Sequence, residues 1–119
     1  MATFSKSILS SSTDGKGIKV AATATAGTLI HTGPTVTTSL DEVWLYAVNS
    51  SASDVKLTIE WGEATAPDGN IEYTVKAENG LYLIVPGLLI KGNATALTVR
   101  AFAATTNVIV VHGYVNKIV

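Results

Sequence analysis

Short runs of β-branched and aromatic residues, separated by Gly, Pro, Asn and Asp, recur from Gly17 to the end of the chain. Apolar residues in these runs alternate with polar ones instead of following the spacing of a helix. The clearest example is Asp54–Trp61 (DVKLTIEW), where every second residue from Val55 onward is apolar. About eight such runs, with turn residues between them, predict an all-β chain folded as an antiparallel β-sandwich or a jelly-roll-like variant of it.

The predicted strands differ in how their ends are marked. Pro86-Gly87 is expected to end one strand and to leave Leu88–Ile90 as a short extension, because proline cannot donate a ladder hydrogen bond. Gly113, in the last run, predicts a β-bulge or a close approach of two backbones. The predicted strands are Ile18–Thr25, Thr28–Thr32, Glu42–Asn49, Asp54–Trp61, Ile71–Val75, Leu81–Pro86, Leu97–Ala103 and Val108–Val115.

Residues 1–16 differ from the rest of the chain and predict an extended N-terminal arm. They are rich in Ser and carry Phe4, Ile8 and Leu9 as large apolar residues. Three apolar side chains on an otherwise polar tail favour docking or strand pairing, with disorder as the alternative. Because 119 residues suit a single domain, we expect the arm at 1–16 to precede one β-sandwich domain at 17–119.

One predicted strand, Glu42–Asn49 (EVWLYAVN), is apolar on both faces. One face carries aliphatic residues, and the other carries Trp44, Tyr46 and Val48. This pattern indicates either a central strand covered on each side or a strand with one face in the core and one in an interface. Trp44, Tyr46 and Val48 therefore join Phe4, Ile8 and Leu9 of the arm as candidate interface residues.

Few charges and a near-neutral balance limit the partners of this chain. The formal net charge is -1 and charged residues make up 14% of the sequence, well below the usual value of about 25%. A nucleic-acid surface needs clustered Lys and Arg, and a bilayer span needs about 20 apolar residues. We therefore expect neither a nucleic acid nor a membrane as partner. Residues 1–15 also lack the apolar core of a signal peptide, so no export signal is expected.

Residue types that carry chemistry are present but are not clustered in the sequence. His31 and His112 each lie inside a β run without a recognisable partner, and cysteine is absent. A zinc site needs three or four ligands at a recognisable spacing. We therefore predict no metal site, and we expect each histidine to make only local hydrogen bonds at an edge or an interface.

The closest carboxylate pairs are Asp41 with Glu42 and Glu60 with Glu63. Asp41 follows a loop, where a local turn bond is expected, and Glu60 lies on the polar, solvated face of its predicted strand. Paired catalytic carboxylates need an apolar pocket that raises one pKa, and nothing in the sequence indicates one. Nucleophile and phosphate-binding motifs are also missing. We therefore predict a chain that is not an enzyme, with no catalytic residue and no cofactor.

Aromatic residues suggest a second class of function, a carbohydrate-binding module. The aromatic residues that could form a platform on which sugar rings stack are Trp44, Trp61, Tyr46, Tyr73 and Tyr82. Trp61 continues the apolar face of its strand and is expected in the core. A glycan partner stays open as an alternative to protein contact.

Several segments together resemble a known class of proteins. The chain is similar to small structural proteins of tailed bacteriophages, common among marine phages, in which an N-terminal arm precedes a β-sandwich. The segments that carry the resemblance are LIHTG (Leu29–Gly33), LDEVWLYAVN (Leu40–Asn49), IEWG (Ile59–Gly62), GLYLIVPGLLI (Gly80–Ile90), VRAFA (Val99–Ala103) and GYVNKI (Gly113–Ile118).

The resemblance implies a non-enzymatic protein of the virion, assembled in the cytoplasm of a bacterial host. Such proteins typically decorate and stabilise the capsid as cement proteins, often as trimers, or form small parts of the head-tail junction or tail. The partners implied are other copies of the same chain and the major capsid protein or other virion proteins. The class implies no catalytic residue.

Overall fold

The structure, a computed structural model, describes residues 2–119, so Met1 of the predicted arm lies outside the described residues. Nine strands and no helix form within this range. No helix of the described residues is therefore long and apolar enough to cross a membrane. The strands are β1 (Phe4–Ile8), β2 (Ile18–Lys19), β3 (Thr28–Thr32), β4 (Leu40–Asn49), β5 (Val55–Trp61), β6 (Asn70–Val75), β7 (Tyr82–Lys91), β8 (Thr98–Ala103) and β9 (Ile109–Ile118).

Two antiparallel sheets pack against each other as a β-sandwich, which confirms the predicted fold class. Sheet A has the strand order β1-β9-β4-β7, with β2 also pairing with β9, and sheet B has the order β3-β8-β5-β6. Only β5 and β6 are both consecutive in the chain and paired in a sheet, so the other neighbours are brought together by connections that cross the sandwich.

The core lies between the sheets and follows from the period-two pattern of the strands. In β4, buried and half-buried residues alternate without a break. β8 shows the same alternation, and Trp61 packs against the core as expected. The central core residues are Val43, Leu45, Ala47, Leu57, Ile59, Val99, Ala101, Ala103, Ile109, Val111 and Val115.

The predicted strand Ile18–Thr25 was too long. Only Ile18–Lys19 is strand, although the Val20 amide still donates to the Ile109 carbonyl at 2.9 Å. The chain then passes to sheet B, where the carbonyl of Ala22 accepts from the amide of Ala103 at 3.0 Å. The alternating residues predicted one strand here, but the segment leaves sheet A after Val20 and bends at residues 23–26 beside sheet B.

Pro86 was expected to end its strand, but it does not. β7 runs through it to Lys91, with two register shifts against β4. β7 is the edge strand of sheet A, and at an edge the missing amide hydrogen of proline is not needed by a neighbour. The extra residue at Gly87 has a φ of 77°, a left-handed conformation that glycine adopts without steric cost.

Gly113 marks a close approach of two backbones. A Cβ atom added there would lie 2.1 Å from the carbonyl oxygen of Trp44 on β4. The pairing of β4 with β9 runs through this point without a register shift. Of the two predicted explanations for Gly113, the close approach is confirmed for this pair of strands.

Residues 4–12 fold onto their own chain. β1 pairs with β9 in sheet A, and Leu9 enters the core with 1% of its surface exposed. The Ser11 amide then donates to the carbonyl of Ile30 on β3, at 3.3 Å. This stretch therefore connects the two sheets.

Candidate functional site

The outer face of sheet A carries a continuous set of aromatic and aliphatic side chains. Because the odd-numbered residues of β4 point into the core, its even-numbered residues point outward. Their register partners on the neighbouring strands extend the same surface. The outward side chains are Phe4, Lys6 and Ile8 on β1, Val110, His112, Tyr114 and Asn116 on β9, Glu42, Trp44, Tyr46 and Val48 on β4, and Leu83, Pro86 and Leu89 on β7.

A row of side chains crosses all four strands of this face. The rings of Trp44 and Tyr114 are 6.0 Å apart between centroids and tilted by only 7°. On the other side of Tyr114, the Lys6 ammonium lies 5.2 Å from the ring centroid, within cation–π range. Trp44 in turn lies against Gly87, where an added Cβ would be 2.9 Å from the indole. The two rings are thus nearly parallel to each other across β9 and β4.

Glu42 holds this row in place. Its Oε1 atom accepts from the Trp44 indole at 2.8 Å and from the Asn116 amide at 2.7 Å. These two hydrogen bonds stabilise the charged carboxylate and hold the pKa of Glu42 below its usual range. The orientation of the indole is therefore set before any partner arrives.

The predicted interface residues fall into two groups. Trp44, Tyr46 and Val48 are half-buried on the outer face, and Phe4 and Ile8 are exposed on β1. Leu9, by contrast, lies in the core of its own chain because the backbone turns inward after β1 to reach sheet B. Its side chain is not part of the surface that a partner would meet.

Sequence reasoning named Tyr82 as part of a possible sugar platform but missed the exposed leucines of β7 and its preceding loop. Five of the nine exposed large hydrophobic residues among those described are found here. The proline inside this apolar run was the signal, since proline within a strand indicates an edge strand with open surroundings. These residues are Leu81, Tyr82, Leu83, Leu88 and Leu89.

The outer face of sheet B is different, because the segment between β2 and β3 covers part of it. Glu60, predicted to be solvated, is only 1% exposed. Its Oε1 atom accepts from the Gly27 amide at 2.6 Å, and its Oε2 atom accepts from the Thr25 hydroxyl. The prediction was wrong because the groups that bury and satisfy Glu60 come from a loop more than thirty residues earlier.

His31 and Asp41 form a second buried polar pair, between the sheets. The His31 Nε2 atom lies 2.7 Å from Asp41 Oδ2, and the Lys117 ammonium lies 3.6 Å from the same oxygen. Asp41 therefore does not make the local turn bond predicted for it. His31 does lie on an edge strand, β3, but it is buried and its partners are distant in sequence, where local hydrogen bonds were expected. His112 is half-buried on the outer face, opposite Tyr46.

Among the described residues, no buried side-chain nitrogen or oxygen atom lacks a hydrogen-bond partner. A cleft of about 230 Å³ lies against the outer face of sheet B. Two of its lining residues, Lys56 and Glu72, already form an ion pair at 2.9 Å. Within residues 2–119, no three His, Cys, Asp or Glu side chains come together as a metal site would require.

Comparisons with known proteins give no family. No protein-family model matches the chain, and no curated protein matches it significantly. The function must therefore be inferred from the geometry of the surface itself.

Proposed function

We propose that this chain is a non-enzymatic structural protein of a phage virion, which assembles with other copies of itself through the outer face of sheet A. Its role would be that of a capsid decoration, or cement, protein that stabilises the head surface. The proposal rests on one observation above others: the outward aromatic and aliphatic side chains of β1, β9, β4 and β7 form one surface. The sequence resemblance to small phage structural proteins supports the same role.

The energetics favour covering this face. Removing apolar surface from water contributes about 25 cal/mol for each Å², and large exposed apolar patches are typical of interaction sites. The Trp44–Tyr114 stack and its bonds to Glu42 already fix the central side chains. Less side-chain entropy is then lost on association, which leaves more of the burial energy as affinity.

The stacking geometry favours a protein over a sugar as the partner. A sugar ring stacks on the open face of an aromatic ring, whereas the faces of Tyr114 meet Lys6 and Trp44. Trp44 is covered on its far side by Gly87. The aliphatic residues beside these rings on β1, β9 and β7 suit the apolar contacts of a protein interface.

Charge favours a head-to-tail contact between copies. Lys6, Lys19 and Lys91 are exposed on strands of sheet A. Acidic residues instead occupy the loops that flank β5 and β6, as in Glu63 and Asp68. Placing the lysines of one copy against the acidic loops of the next pairs opposite charges, and a head-to-tail contact closes into a ring such as a trimer when its rotation allows.

The edge of β7 favours side-chain contact over strand addition. Pro86 and the two register shifts interrupt the row of open backbone groups, and such features block pairing with a strand from another chain. The exposed leucines of β7 would then contribute as packing surface.

Binding to phage heads tests this function. Purified chain is mixed with heads that lack it, the heads are sedimented, and the bound chain is counted per particle. A decoration protein binds in hundreds of copies and raises the temperature at which heads rupture. About a dozen copies would indicate a head-tail or tail component instead, and a chain that neither binds virion parts nor self-associates would contradict the proposal.

A further inference from the structure

The N-terminal segment, residues 4–12, is held to sheet B by a side chain that titrates. The Ser10 amide donates to the Nδ1 atom of His31 at 3.0 Å. The hydroxyl of Ser10 accepts from the amide of Thr32 at 2.7 Å, so the same residue is bound twice to β3. Leu9, beside it, is anchored in the core.

These contacts determine the protonation state of His31. A backbone amide can only donate, so Nδ1 must be the unprotonated, accepting nitrogen. The ring proton then lies on Nε2, which donates to Asp41 Oδ2 at 2.7 Å. His31 is thus a neutral ring with both nitrogens engaged.

Taken together, the surroundings of the His31 ring disfavour its doubly protonated, charged form. Burial has the largest effect and lowers the pKa of His31, while Asp41 on β4 raises it and Lys117 on β9 lowers it. On β8, the residue opposite His31 is the apolar Val99. The net direction is a pKa below the ordinary histidine value while the segment is in place.

We propose that His31 is an acid-sensitive latch, and that a proton on its Nδ1 atom releases residues 4–12 from the sandwich. The proton comes from solvent and replaces the Ser10 amide as the partner of Nδ1. Two N–H groups then face each other where one hydrogen bond had been, and a buried donor without an acceptor is unfavourable. Ser10 must move away, and Leu9 and β1 are connected directly to it.

Release changes what the molecule offers to partners. β1 covers one side of β9, from Tyr114 to Ile118. Once β1 leaves, this stretch of β9 has unpaired backbone groups that can bind a strand of another copy, and Leu9 becomes accessible. The latch operates in the isolated chain, so it does not depend on the proposed function.

The sign of the pH effect follows from the two states of the ring. In the released state Nδ1 meets water and binds a proton more readily than in the closed state, where burial lowers the pKa of His31. Acid therefore favours release. Between the two pKa values, the equilibrium constant for opening rises by up to about tenfold for each unit of pH decrease.

Hydrogen exchange measured residue by residue between pH 5 and pH 8 tests the latch. After correction for intrinsic exchange, residues 4–12 of the wild-type chain should lose protection by up to about tenfold per unit as the pH falls, while β5 and β8, which exchange only on global unfolding, should stay better protected than residues 4–12 at every pH. His31→Gln retains one donor and one acceptor but cannot titrate, so its opening should not depend on pH. His112→Gln, the matched control, should respond as the wild type does.

Three results would overturn the proposal. The first is equal hydrogen-exchange protection of residues 4–12 at pH 5 and pH 8. The others are a pH response that persists in His31→Gln and a pH response that is lost in His112→Gln. If His31→Gln does not fold, nitrogen NMR of the wild-type histidine rings decides. The latch requires Nδ1 of His31 to be unprotonated at pH 8 and to titrate with the same midpoint as segment opening. A protonated Nδ1 at pH 8, or two separate midpoints, would refute it.

Discussion

The two outer faces of the sandwich have different surroundings. On sheet B, Glu60 points away from the core and yet is only 1% exposed, because Thr25 and Gly27 of the segment between β2 and β3 bind its carboxylate. On sheet A, the corresponding outward residues Trp44, Tyr46 and Tyr114 stay half-buried. Part of the sheet B face is covered by polar contacts from its own chain, and the sheet A face presents aromatic rings in fixed positions. This difference is the reason why the proposed contact with other copies is placed on sheet A.

Removing the hydrogen bonds between Glu60 and the segment that covers part of sheet B has the largest expected effect on stability. Glu60→Ala leaves the Gly27 amide and the Thr25 hydroxyl without their acceptor, at a cost of about 2–4 kcal/mol in the free energy of unfolding. Urea denaturation measures this loss. Glu63→Ala, at an exposed acidic residue nearby, should change stability by less than about 0.5 kcal/mol. Equal losses in the two variants would mean that the loop does not depend on Glu60.

A smaller effect is expected where the aromatic row of sheet A meets its edge strand. Gly87→Ala places a Cβ 2.9 Å from the Trp44 indole, whereas a Cβ at Gly80 meets nothing within 4 Å. Both glycines have positive φ, so both variants suffer backbone strain and their difference isolates the contact with Trp44. Gly87→Ala should cost about 1–2 kcal/mol more than Gly80→Ala and alone should change the near-ultraviolet circular dichroism of tryptophan. Identical stability and spectra would show that Gly87 does not position the indole.

The smallest effect is expected at His31, which lies buried between the two sheets, and it is a loss of stability for each unit of pH decrease. Because His31 has a lowered pKa in the folded chain, its contribution to stability is complete above about pH 6.5. It is lost at up to about 1.4 kcal/mol per unit as the pH falls from there toward the folded value. Urea denaturation at pH 5.5 and pH 7.5 measures this loss. His31→Gln should show a flatter profile, and a wild-type profile without any such slope would contradict the buried neutral ring.

The pattern of faces could be predicted from the sequence, while the contacts between distant segments could not. Alternation predicted that Trp44, Tyr46 and Val48 share one face of their strand, and the strand has that orientation. Their neighbour Tyr114 was not predicted, because strand order is determined by packing that period-two patterns do not encode.

The same distinction explains the buried polar residues. Glu60 and Asp41 looked solvated or locally bonded because only neighbours in sequence could be considered, and their partners come from other strands and loops. Pro86 was misread because an edge strand tolerates proline and a central strand does not. Knowledge of which strand is an edge strand, and which loop covers a sheet, becomes available only with the tertiary structure.

Sedimentation of matched variants tests most directly whether the outer face of sheet A joins copies of this chain. Leu89→Lys places a charge on that face, and Val36→Lys places the same charge on a loop. Leu89 is 51% exposed and Val36 is 59% exposed, so neither change disturbs the core. The wild-type chain and Val36→Lys should sediment as the same oligomer, with Leu89→Lys shifted toward monomer. A wild-type monomer at every concentration, or equal association of the two variants, would contradict this assignment.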